Sequence, residues 1–556
     1  MNAKRTVWTI VISCFYLSAM CASKNDKGIE YYRAELYDAA KLFFSNQTNL
    51  SQEEQAENYF YLGQTYAAME QLDSAAYFYN KAVTVDPEYP YGYIGQGMLE
   101  LRNNHKEKAN DLFKKATGLV KKNPAVHTAI AEAYINAKQY DKAEEALDRA
   151  RKMQKNFSGI YVAEGDMLMD QGDTGGACGK YDNAILFDKN DKVAYLKEAR
   201  VYKSINTDLA LEMLNRLVEI DPEYIPAYAE LGEIYYRDGY YTKAIDAYEK
   251  IMAIPGVPIS QESKYAQLLF FVDRYSESLD MIARVLEKDP ENFVMKRLQA
   301  YNNFKLENYA LGLEQMEKLI NDTPPDNLIA LDYTYYGRLL IKEKQPQKAL
   351  ENLLKAYEMD TTKTELLKEI ATAYENTGNY AEAVNYTQKS LDANPESTAI
   401  DYFYFGRLCW TAAVSLLTPE ASKTAEELAA DSIQRNDYLE TAIKAFDTVI
   451  ERMPQSYMGY FWKGKVNYIK DFVLYKGEEG LPKPDYEQAL AILLESNEGG
   501  KRNKEIIEVY DYLGSYYIVK EDSKAAVEYW KKILELDPAN AKALKVMEEF
   551  KKSGVE

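Results

Sequence analysis

Residues 56–89 read AENYFYLGQTYAAMEQLDSAAYFYNKAVTVDPEY. Leu62, Gly63 and Tyr66 fall on one helix face, Ala75, Tyr79 and Ala82 on a second, and Asp86-Pro87 follows. Spacings of three, four and seven residues are what one face of an α-helix requires. The stretch therefore predicts two antiparallel helices joined by a short turn, with Gly63 and Ala75 small enough to let them approach closely. Proline drives its predecessor out of the helical region and is itself tolerated in a first turn, so Asp86-Pro87 marks where the second helix ends.

The same pair of small residues recurs fourteen times. The first member is Gly28, Gly63, Gly97, Ala131, Gly165, Ala199, Gly232, Ala266, Ala300, Gly337, Ala371, Gly406, Gly464 and Gly514. The second is Ala40, Ala75, Ala109, Ala143, Ala177, Ala210, Ala244, Ser278, Gly312, Ala349, Ala383, Ala442, Ala489 and Ala526. Neighbouring first members lie 33 to 37 residues apart, except for the last two intervals of 58 and 50. Four residues past the second member stands a bulky apolar side chain in thirteen copies, such as Phe44, Tyr79, Leu147 and Trp530; Thr387 alone departs. A period of this size implies units that stack on one another, without one closed core.

Leu231-Gly232-x-x-Tyr235, Gly239, Ala244 and Tyr248, preceded by Asp221-Pro222, complete the pattern. In these residues the chain resembles a tetratricopeptide repeat (TPR) protein over roughly residues 24–550. The resemblance implies an all-α solenoid of about fourteen units, a right-handed superhelix whose inner groove binds peptides or protein surfaces, and it implies no chemistry. The expected organisation is a regular array over 23–405, an array with insertions over 406–536 (about 411–436 and 469–485), and a C-terminal capping helix within 537–556.

The first 22 residues stand apart. Lys4 and Arg5 precede an apolar run from Val7 to Leu17, then small residues through Ser23, the layout of a secretory signal peptide. The run is shorter than the roughly 20 residues that span a bilayer, so export to the periplasm or cell envelope is expected, with cleavage between Cys21 and Ser23. Leu17-Ser18-Ala19-Met20-Cys21 also resembles a lipoprotein signal with a lipid anchor at Cys21, which Met20 fits poorly. No transmembrane span is expected in the mature chain. With 67 Lys and Arg against 87 Asp and Glu, the net charge is −20, which repels phosphate backbones and disfavours nucleic acid as a partner.

Several chemistries are disfavoured. Gly172 to Lys180 lacks the spacing and the Ser/Thr of a phosphate loop. His105 and His127 are the only histidines and follow no ligand spacing, and Cys178 and Cys409 lie about seven units apart, too far for a mutual disulfide. No enzyme, cofactor or metal is expected; protein or peptide is the expected partner.

First-helix positions two and three before the small residue, and one, four and five after it, should face the groove. In early units these are small or acidic, as at Glu132, Asn136, Asp166 and Asp170; in later ones they turn aromatic and cationic. The expected partner-binding residues are Tyr301, Tyr335, Arg338, Phe403, Tyr404, Arg407, Trp410, Phe461, Trp462, Lys465 and Tyr468. Trp, Tyr and Arg are the residue types that most often dominate binding energy. The groove does not reproduce the family's Lys/Asn clamp for a C-terminal carboxylate: corresponding positions hold Thr128, Ala129 and Glu132, or Lys368, Glu369 and Thr372. Two other readings stay open at this level: a subunit of an envelope assembly, secretion or nutrient-uptake complex, and carbohydrate recognition by aromatic groove residues.

Overall fold

The computed structural model describes residues 23–120, 122–417 and 423–554, so the expected signal segment and the expected anchor at Cys21 lie outside the described residues. Among the described residues, 28 α-helices form fourteen antiparallel pairs, numbered here 1 to 14 along the chain, and a last helix, Ala541–Lys552, follows. Pair 2, Gln52–Ala68 with Leu72–Val85, corresponds to the stretch that opened the sequence reading. The chain is an all-α TPR solenoid.

The small residues make room for rings as much as for backbone. A Cβ placed on Gly63 would overlap the ring of Tyr79, one on Gly97 that of Phe113, and one on Gly406 would stand 2.7 Å from Phe446. These rings stand four residues past the second small position, and all thirteen bulky side chains there are at most 4 % exposed. Burying each such side chain contributes about 1.5–3 kcal/mol. In pair 13 (Tyr457–Tyr475 with Lys483–Ser496) the ring against Gly464 is instead Tyr486, three residues before Ala489.

Turn geometry repeats as well. Seven residues past the first small position the backbone is left-handed in eleven pairs, for example at Glu70 (φ 60°), Asn104 (φ 61°), Lys344 (φ 59°) and Gly378 (φ 78°). The next amide then reaches back five residues, as Gln71 N–H does to the Tyr66 carbonyl at 2.9 Å and Gln345 N–H to the Leu340 carbonyl at 2.8 Å, closing the helix end. Between pairs, the Asp carboxylate of an Asp-Pro turn accepts the amide two residues on, Glu88 N–H to Asp86 at 3.0 Å.

The helices lengthen where the sequence carries extra residues. The second helix of pair 12 runs from Ala425 to Arg452, 28 residues, and opens on a capping box in which Thr424 and Glu427 satisfy each other's backbone amides. The first helix of pair 13 has 19 residues. The loop after it is tied down by Asp471, whose buried carboxylate accepts the amides of Gly480 (2.8 Å), Glu479 (3.2 Å) and Leu481 (3.2 Å). The final helix lays Val546, Met547 and Phe550 on the core around Trp530.

Two compact units divide the chain, residues 1–302 and 303–556. In the N-terminal unit, pair 1 (Asp26–Arg33 with Tyr37–Ser45) packs against pairs 6 (Lys192–Tyr202 with Thr207–Ile220) and 7 (Ile225–Arg237 with Tyr241–Met252), so that unit closes on itself.

Candidate functional site

In the C-terminal unit, five of the expected residues converge between the first helices of pairs 12 (Ala399–Ser415) and 13 (Tyr457–Tyr475). Trp462 stands edge-on to Phe403 (6.0 Å between ring centres) and to Trp410 (5.5 Å). The Arg407 guanidinium lies 4.9 Å from the Trp462 ring centre and 5.9 Å from that of Phe403. Lys465 Nζ lies 5.0 Å from Trp462 and 2.9 Å from the Glu508 carboxylate. Tyr404, 58 % exposed, extends the cluster from Phe403. Helical spacing explains the convergence: positions one and four past the small residue share one face, and the next pair presents its matching face beside it.

Arg407 makes no ion pair among the described residues. It is exposed and held over rings, an arrangement worth about 0.5–1 kcal/mol at an open site and more once a partner excludes water. The indole Nε1 of Trp410 is buried and has no hydrogen-bond partner among the described residues.

The remaining expected residues sit elsewhere. Tyr301, Tyr335 and Phe461 are buried, at 3 %, 5 % and 4 % exposure, each beneath neighbouring rings: Phe270, Phe304 and Tyr486 respectively. Arg338 is bound bidentately by Glu369, at 2.9 and 2.6 Å. Tyr468, half exposed, lies edge-on to Tyr512 and lines a cleft with Phe472, Tyr516 and Val519.

The inner wall of the N-terminal unit differs. Arg200 bonds Glu230 (2.6 Å) and reaches across to the Arg33 carbonyl (3.0 Å), and Lys192 joins Asp221 (2.7 Å) to Glu30 (3.5 Å). Burial works against the Glu230 charge, but Arg200 and Lys203 outweigh it and hold its carboxyl below the usual range. Glu132 keeps contact with solvent yet is enclosed by this wall. Burial, then the nearby Asp166 charge, push its carboxyl up to about 7 against the pull of Lys197 and Arg33. Sequence reasoning placed Glu132 and Asp166 on the groove face but missed Arg33 and Arg200 as the clasp; the available signal was a cation at groove-facing positions five past Gly28 and one past Ala199.

Among the described residues no group of three His, Cys, Asp or Glu side chains is placed to hold a metal ion, and no helix is long and apolar enough to cross a membrane.

Comparison with known proteins agrees with the fold. Tetratricopeptide repeat profiles match residues 56–89, 101–161, 227–256 and 367–397, and the chain is a TPR repeat protein, of a class that is generally non-catalytic. It is 25 % identical over 180 residues to anaphase-promoting complex subunit 3 of Schizosaccharomyces pombe, covering 32 % of this chain and 27 % of that one. It is 22 % identical over 234 residues to human DnaJ homolog subfamily C member 3, covering 42 % of each. The chain thus spans less than half the length of these curated relatives. Among solved structures, the C-terminal part of a TPR repeat-containing protein from Cytophaga hutchinsonii is 25 % identical, covering 51 % of this chain and 98 % of that one, with a TM-score of 0.38.

Proposed function

We propose that this chain is an exported, non-catalytic scaffold that captures an extended or helical segment of a protein partner on the inner wall of pairs 12 and 13. The observation that carries the reading is Arg407: an exposed guanidinium with no ion-paired carboxylate among the described residues, held over the rings of Phe403 and Trp462 and one helical turn or less from Tyr404 and Trp410. Rigid aromatic side chains bind with little loss of conformational freedom, and an unpaired guanidinium can donate hydrogen bonds to a partner's carboxylate or backbone carbonyl. Peptides selected from a displayed random library on the wild-type chain test it. The double variant Trp410→Ala, Trp462→Ala is expected to weaken their binding at least about thirtyfold, equivalent to roughly 2 kcal/mol, with unchanged helicity by circular dichroism. Equal binding to the double variant would refute the reading.

A second reading, a structural subunit of an envelope complex, draws on the extension of pair 13. There Phe472, Leu474 and Tyr475 are 62 %, 46 % and 44 % exposed, and Val519 beside Phe472 is 53 % exposed. A stoichiometric complex isolated from the cell envelope and lost on Phe472→Ser would favour it. Export itself rests on residues 1–22; N-terminal sequencing of the mature chain should start near Ser23, whereas an acylated Cys21 would establish the lipoprotein alternative.

A further inference from the structure

The side chain that breaks the repeat pattern leaves a hole. In the other thirteen pairs the residue four past the second small position is a bulky, buried apolar side chain that fills the seam beside its own helix pair. Tyr79, for instance, lies against both Gly63 of pair 2 and Gly95 of pair 3 (Pro90–Arg102 with Lys106–Leu119). Pair 11 (Glu365–Asn376 with Tyr380–Ala393) has Thr387 at that position. Its hydroxyl turns back to the Ala383 carbonyl at 2.7 Å, and the side chain is only half-buried.

What remains is a cleft of about 520 Å³, within the roughly 300–1,000 Å³ typical of ligand sites. Its buried lining is Ala371, Leu391 and Leu408; its exposed lining includes Tyr404 and Arg407. The walls are kept apart by the array on either side and by the Lys368–Asp401 ion pair at 3.2 Å, which bridges the first helices of pairs 11 and 12. The lining holds two cations, Lys368 and Arg407, and two carboxylates, Glu375 and Asp401; Lys368 and Asp401 are ion-paired and Arg407 is not, so the charges sum to zero and the lining suits a neutral ring better than an ion.

We propose that this cleft receives an aromatic side chain of a protein partner, its ring taking the place that Tyr79, Phe113 and Phe446 occupy in their own pairs. The inference deepens the capture surface proposed above, since Tyr404 and Arg407 border both, and it names the class of side chain that surface selects. The neighbouring guanidinium and phenol offer the guest ring a cation–π face and an edge contact.

The test is titration of the full chain with p-cresol, the tyrosine side chain cut at Cβ, followed by saturation-transfer NMR. Saturable binding with Kd on the order of 1 mM is expected for so small a ligand. Thr387→Leu should lower the affinity at least about tenfold and raise the melting temperature, because leucine fills this position as Leu147, Leu214, Leu353 and Leu493 do in other pairs. Thr387→Ser, which keeps the cleft open, should retain binding. Absence of saturable binding to the wild type, equal binding to Thr387→Leu, or loss on Thr387→Ser would each overturn the proposal. Trp462→Ala separates the two readings: p-cresol binding that survives it while selected peptides bind regardless of Trp410 and Trp462 would uphold the cleft and reject the wider capture surface.

Discussion

The N-terminal unit gives most of its buried first-helix glutamates internal counter-charges. Buried Glu164, Glu230 and Glu262 each lie between two cations: Arg151 and Lys180, Arg200 and Lys203, Arg284 and Lys288. The inner wall of the C-terminal unit, built from the same kind of helix, rests Arg407 and Lys465 on indole faces, and Arg407 has no counter-charge among the described residues. Ion pairs in the first unit add cohesion and draw pair 1 onto pairs 6 and 7. Aromatic faces in the second cost little to hold exposed and gain most when water is expelled. One scaffold thus supports two uses of one groove position, the residue after the small one: Arg200 is ion-paired to Glu230, whereas Arg407 rests on rings.

Breaking the clasp is the most severe way to erase this contrast. Arg200→Ala leaves Glu230 with Lys203 alone and removes the contact to the Arg33 carbonyl. Removing one of the two cations that hold this buried carboxylate, together with the tie to pair 1, costs up to about 3 kcal/mol. Hydrogen exchange should show Asp26–Ser45 losing protection while residues 399–415 keep theirs; protection unchanged over pair 1 would mean that Arg200 does not close the unit.

Most of the architecture was legible in the sequence because it is local. Gly63 and Tyr79 meet within one pair, and the period then repeats the contact. The cluster of Phe403, Arg407, Trp410, Trp462 and Lys465 was legible for the same reason: its positions follow from helical spacing. Tyr301, Tyr335 and Phe461 satisfy a similar spacing but are buried, because rings on neighbouring elements (Phe270, Phe304 and Tyr486) happen to be large enough to cover them. The closure of pair 1 on pairs 6 and 7 was not legible. It depends on small rotations summed over several pairs, and no single residue encodes that sum. In pair 12 the Thr424-x-x-Glu427 capping box is a readable sign that the extra residues are helix, a signal that residue spacing alone does not carry.

The contrast sharpens within the N-terminal unit between Glu164 and Glu198, each one residue before a small position. Glu164 has two cations; Glu198 has none among the described residues. Burial first, then the charge of Asp182, push the Glu198 carboxyl up to about 7 from the usual 4.5. Its folded form therefore keeps a proton that the unfolded chain has released. That contribution to stability is present in full below pH 4.5 and is lost as the pH rises through about 7. Glu198→Gln removes the penalty of ionisation and keeps a donor for Asp182, so it should stabilise the unit by about 2 kcal/mol at high pH and by little near pH 5. Melting curves across this range check it; a gain equally large at both ends would exclude titration as its source.

The smallest predicted effect bears on what the two units share, their turns. Lys344 sits in the left-handed region (φ 59°) at the turn of pair 10, Ala330–Lys342 with Pro346–Met359, where pair 11 has Gly378 (φ 78°). A side chain in this conformation costs about 1–2 kcal/mol, and glycine removes that strain while giving back part of it through the greater freedom of the unfolded chain. Lys344→Gly is thus expected to stabilise the C-terminal unit by about 0.5–1 kcal/mol, read as a small rise in its melting temperature. The same change at Asn104 of pair 3, also left-handed, should gain less, since asparagine tolerates the conformation better than lysine. Equal gains at the two sites would show that neighbour packing, not backbone strain, sets the stability of these turns, and the turn would then cease to be common ground between the units.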